Sequence, residues 1–155
     1  MLKTINPLEH IRAHPELYFS TGHPDPSELA TRLAADALSL NASRTIAIHQ
    51  GPIWAVAADV DWLASAPVPI QSLFERIVPF PQSGVNSMRS EVLIAAFAQY
   101  VETWCGEEHH LLKGAQRDTL KIGSMLPGEW KRVIIFSLES SAMSNEPMVS
   151  IAGRS

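Results

Sequence analysis

Leu8-Glu9-His10-Ile11-Arg12-Ala13-His14-Pro15-Glu16-Leu17-Tyr18-Phe19 stands directly behind Asn6-Pro7, and together they mark both ends of a short helix. Asn6 supplies a side-chain cap, Pro7 a preset φ at the first helical position, Glu9 a carboxylate beside the unpaired amides, and Pro15 a stop. Leu8, Ile11, Leu17 and Tyr18 are spaced to dock this segment on a larger body. The same starting signal returns at Asp25-Pro26-Ser27-Glu28. Behind it Leu29, Leu33, Ala34, Ala37 and Leu38 share one stripe at helical spacing and predict a second helix ending near Asn41.

Further along, Thr45 to His49 and Ile53 to Ala57 are apolar and partly β-branched, and Gln50-Gly51-Pro52 separates them. This pattern predicts an antiparallel hairpin. Asp59 to Ser65 reads as a brief helical turn with Asp59 as its cap, and Ile70 to Val78 as a helix that the Pro79-Phe80-Pro81 break ends. Met88, Val92, Leu93, Ala96, Phe97, Tyr100, Val101 and Trp104 recur at intervals of three, four and one, which predicts a long amphipathic helix running on through Cys105. After Gly106, the stretches His109 to Leu112, Thr119 to Ile122 and Arg132 to Leu138 read as strands. Residues 139–155 read as a tail behind one domain spanning 1–138. Helices first, then a hairpin, a long helix and a run of strands predict an α+β, two-layer sandwich with helices on one face of a mostly antiparallel mixed sheet.

The bulk numbers fit such a domain. A chain of 155 residues with 46% hydrophobic and 18% charged residues can bury a core, and its length leaves little room for a second one. A net charge of −4 argues against whole-surface nucleic-acid binding. One cysteine, Cys105, excludes an internal disulfide and reads as a buried structural thiol. No stretch approaches the roughly 20 apolar residues of a membrane span, and the start carries no hydrophobic signal core. A cytoplasmic protein without membrane contact is the expectation.

The opening segment resembles that of the ATPase domain in the B subunit of DNA gyrase and its topoisomerase IV relatives. There a Leu-Glu, an aliphatic-Arg pair, a Pro and an apolar-Tyr-apolar triplet occur in this order and spacing, here as Leu8-Glu9, Ile11-Arg12, Pro15 and Leu17-Tyr18-Phe19. The resemblance covers about residues 8–138. It implies the Bergerat or GHKL ATPase fold, which gyrase shares with Hsp90, histidine kinases and MutL. In gyrase-like enzymes the second helix bears a Glu that activates water and, one turn later, an Asn that holds magnesium. Arg32 and Asp36 stand at those two places. Arginine stays protonated and cannot take a proton from water. Asp36 is then a residual nucleotide-pocket candidate; read from spacing alone, it forms an exposed i, i+4 ion pair with Arg32. Glu28, a further turn back, reads as a helix-start charge rather than a displaced base.

The family's Asp-x-Gly-x-Gly element falls on Ala57 to Leu63, where Asp59 is the second candidate, as an adenine ligand, but neither glycine is present. Its glycine-rich lid falls on Gln82 to Ser90, which keeps only Gly84, with Asn86 or Ser87 as a helix cap. Its final Gly-Thr is replaced by Trp130-Lys131-Arg132. Backbone amides cannot cradle phosphates where side chains fill the approach. The resemblance therefore implies the fold without the activity: a non-catalytic, gyrase-B-type domain acting through protein contacts or self-association, with no cofactor. The alternatives are a weak ATP sensor or ATPase using ATP and magnesium through Asp36 and Asp59, or a small-molecule binder in the vacated pocket.

Other chemistry is thin. Glu107-Glu108-His109-His110 is the densest cluster of metal-ligating types, but strand neighbours point to opposite faces and cannot readily share one ion. The serines between 140 and 144 match no nucleophile motif. Trp54, Trp62, Trp104 and Trp130 read as core fillers, with an exposed one marking a partner surface.

Overall fold

The computed structural model of the chain describes residues 6–80 and 87–140. Helix α1, Pro7–Ala13, starts as its sequence dictates, with the Asn6 side chain accepting from the Leu8 amide at 2.9 Å. Ile11 is fully buried and Phe19 packs edge-on against Phe97, with ring centroids 5.0 Å apart. Leu17 is not part of this docking face, being 65% exposed, and Tyr18 is only partly buried. Helix α2, Pro26–Ser39, is capped by Asp25 through the Ser27 amide and buries Leu29, Leu33 and Ala37.

Strands β1, Thr45–Gln50, and β2, Ile53–Ala58, form the expected hairpin in unbroken register from Thr45 opposite Ala58 to Gln50 opposite Ile53. A single 3-10 turn follows at Trp62–Ser65, and Asp61, not Asp59, precedes it. Helix α3 is only Ile70–Leu73, with the turn carried on as far as the Arg76 amide. It stops short of Val78 because the chain must extend for Pro79 to bridge Met88, where the Phe80 amide donates to Ser87 and the Arg89 amide to Val78.

The expected long helix from Met88 to Trp104 is two elements. Helix α4 is Glu91–Phe97, and after an extended Ala98 the chain becomes strand β3, Tyr100–Cys105. Every residue of α4 is buried, and Tyr100 and Val101 are both buried on opposite sides of the sheet. A strand covered on both faces has no period-2 signal, so its apolar residues prolonged the helical rhythm by coincidence. Cys105 accordingly ends a strand and is partly exposed. Strand β4, Glu108–Lys113, pairs back on β3. Thr119 to Ile122 does not form a strand: helix α5, Leu120–Ser124, begins where the Asp118 carboxylate accepts from the Leu120 amide at 3.1 Å. Strand β5, Arg132–Ser137, ends the fold, and the tail beyond 140 lies outside the described residues.

The architecture is α+β. The sheet order is β1-β2-β5-β3-β4 and every pairing is antiparallel, so the last strand in sequence is the central one. Val56, Ala58, Val101, Ile134 and Phe136 face the layer formed by α1, α2 and α4. The alternating residues Ile48, Ala55, Tyr100 and Ile135 face the other way, where Ile122 of α5 covers part of the second surface.

Candidate functional site

Where α2, the 3-10 turn and the start of α4 converge on the sheet, the chain assembles a buried polar cluster. Glu91, fully buried, accepts from Arg89 Nε at 3.0 Å and from the indole N–H of Trp62 at 3.1 Å. Arg89 also donates through Nη2 to the Trp62 carbonyl at 3.2 Å and lies over the Phe80 ring. Trp62 has no exposed surface, so its ring fills the space beneath the helices. Both sides of the Arg89–Glu91 ion pair are almost wholly removed from water. A pair so placed depends on its remaining hydrogen bonds being satisfied, and Trp62 satisfies one on each partner.

Asp36 adjoins this cluster. Its Oδ2 accepts from the Ser90 amide at 2.8 Å, which ties α2 to the first turn of α4. Burial pushes its carboxyl up to about 6, helped by the negative charge of Glu91 and opposed by the Ser90 hydrogen bond and Arg89. The exposed Arg32–Asp36 pair expected from their spacing does not form. Asp36 is 6% exposed, and Arg32 instead donates to the Tyr18 carbonyl at 2.6 Å. A cleft of about 270 Å³ remains beside them, bordered by Arg32, Asp36, Ser87 and Leu93. Glu28 turns away to accept from the amide and hydroxyl of Ser20. Helix α4 has no side-chain cap, so Ser87 does not cap it, and Asn86 and Gly84 lie outside the described residues.

Asp59 belongs to a different cleft, about 310 Å³, with Arg44, Glu129, Trp130 and Lys131. Its Oδ1 accepts from the Ser43 amide at 3.0 Å, and Arg44 spans the gap from this carboxylate, 3.9 Å away, to the face of Trp130. The two sequence candidates, Asp36 and Asp59, therefore line separate clefts. Two residues after Asp59, Asp61 does what the pattern did not announce. It takes a two-pronged contact from buried Arg132, Nε to Oδ1 at 2.8 Å and Nη2 to Oδ2 at 2.9 Å, and Cys105 donates to it at 3.7 Å. Burial opposes ionisation of Asp61, but the Arg132 hydrogen bonds and charge outweigh it and hold the carboxyl below its ordinary value.

On the opposite face of the sheet, Glu102 is fully buried and accepts from Tyr100 Oη, Trp104 Nε1, Thr119 Oγ1 at 2.7 Å and His109 Nε2 at 2.9 Å. The i, i+2 spacing that sets Tyr100, Glu102 and Trp104 on one face counts only once the run is a strand, and the Thr119 and His109 contributions arrive from other elements. Burial and Glu102 together push the Tyr100 phenol upward. His109 stacks on Trp104 while His110 points the other way, 3.7 Å from Glu108. Among the described residues no three His, Cys, Asp or Glu side chains converge as a metal site, and no helix is long and apolar enough to cross a membrane.

The chemistry on view is that of satisfied acceptors: Glu91, Glu102 and Asp61 are each held by donors within the fold. No family model, no curated protein and no solved structure matches the chain.

Proposed function

We propose that this chain is a non-catalytic domain of the gyrase-B ATPase type that works in the cytoplasm through protein contacts. One observation carries the reading: the cleft beside Asp36, where the resemblance puts a nucleotide, is bordered by Arg32 in place of a base, and the nearby Trp62 is fully buried, its indole held by Glu91 and its carbonyl by Arg89. The residues around it do not suit magnesium and ATP. Arg32 offers only donors where a base is needed, Asp36 is engaged by the Ser90 amide, and Asp59 lies in another cleft. Two helices and a hairpin open the chain in the order the resemblance implies, whereas its long helix is here the short α4 followed by β3.

The test is isothermal titration with ATP, ADP and a non-hydrolysable analogue, magnesium present. No saturable binding tighter than the millimolar range, about −4 kcal/mol, is expected. Micromolar affinity that disappears in Asp36→Ala or Asp59→Asn overturns the reading in favour of a nucleotide sensor.

A further inference from the structure

The two edges of the sheet are built differently. Strand β4 carries Glu108, His109, His110 and Lys113, and its register slips at Leu112, which is left over opposite Val101 and Glu102. Charged side chains and a bulge are devices that keep an edge from pairing. Strand β1, Thr45-Ile46-Ala47-Ile48-His49-Gln50, has no acid, lysine, arginine or proline, and all six residues stay in register with β2. Among the described residues no strand lies on its outer side.

We propose that β1 is a pairing edge whose occupant is β1 of a second copy of this chain, joining two five-stranded sheets into one. The inference rests on the reading of a domain that works through protein contacts, and it names the partner. Identical strands paired antiparallel are related by a twofold axis normal to the sheet. Residues that meet across that axis share a face, so their numbers differ by an even count. Centred on Ala47, the pairing sets Ile46 against Ile48 of the second copy twice over, Thr45 against His49, Arg44 against Gln50, and Ala47 against itself. Ile46 and Ile48 belong to the apolar strip of the second face, and Ile46 is only partly covered, so the strip continues from one copy into the other. Ala47 is the exposed residue of the strand and presents only a methyl group on the axis. No like charges oppose each other in this register. On a chain of net charge −4, an edge free of acids is where two copies approach with least repulsion.

The experiment combines light scattering after size-exclusion chromatography with site-directed cross-linking of the full chain. The wild type is expected to run as a dimer and Ala47→Asp, which places two carboxylates face to face, as a folded monomer. In a Cys105→Ser background, Ala47→Cys brings two thiols to a Cα separation of about 4.5–5.5 Å across the axis, within disulfide reach. Mild oxidation is expected to convert most of it to a covalent dimer, while Thr45→Cys and His110→Cys stay uncross-linked. A monomeric wild type, or cross-linking at His110→Cys in place of Ala47→Cys, overturns the proposal. Such a result leaves the reading of a protein-contact domain standing, since that fails separately, by tight ATP binding.

Discussion

Glu91 and Glu102 are both fully buried, one on each side of the sheet, and the fold accommodates their charges in opposite ways. Glu91 has a guanidinium partner, Arg89, and one indole N–H. Among the described residues Glu102 has no guanidinium or ammonium against it and is held by two hydroxyls, an indole and an imidazole. A buried ion pair concentrates its stabilisation in one contact, so losing either member strands the other in low dielectric. A carboxylate shared among several donors spreads the same task over residues from three elements, and each donor matters less. The helix side is therefore the more brittle of the two.

The largest effect that tests this contrast is Arg89→Ala. Leaving Glu91 without its partner is expected to cost about 3–5 kcal/mol in urea unfolding. A loss below about 1 kcal/mol would mean that Glu91 is reached by water, and the contrast would collapse.

Next comes pH, because burial, with the charge of Glu91 behind it, raises the Asp36 carboxyl. The raised carboxyl of Asp36 favours the folded state fully below its ordinary value near 3.8, and that contribution is lost as pH rises through about 6. The rise corresponds to on the order of 3 kcal/mol. The stability difference between wild type and Asp36→Asn, which keeps an oxygen for the Ser90 amide, should shift against the wild type by that order between pH 4 and pH 7. A difference that stays constant with pH would place Asp36 in water.

Smaller again is Glu102→Gln, which removes the charge and turns one acceptor into a donor facing donors. About 1.5–3 kcal/mol is expected, read from thermal or urea melts. A cost equal to that of Arg89→Ala would erase the difference between the two faces. The smallest effect is Thr119→Val, one donor of four, at about 0.5–1.5 kcal/mol; a loss of several kcal/mol would show that the cluster is not shared as its geometry indicates.

What local rules control could be read along the chain. The caps at Asn6 and Asp25, the stop at Pro15, the α2 stripe, the hairpin turn after Gln50 and the β5 strand could be read from single residues, because each depends on neighbours within one turn or one loop. The α+β class followed from their order. Tertiary packing set where α4 ends and β3 begins, since a segment buried on every side has no polar face to set its period. It decided that Asp36 is buried and Asp59 is not its neighbour, since a spacing of four residues specifies a shared helix face but not what packs against that face. It also created the sites that no motif announced. Asp61 with Arg132, separated by 71 residues, and Glu102 with Thr119, by 17, meet only after β5 has entered between β2 and β3 and α5 has closed on the second face. Pairings at that distance are set by burial and sheet register, which are properties of the assembled chain rather than of any stretch of it.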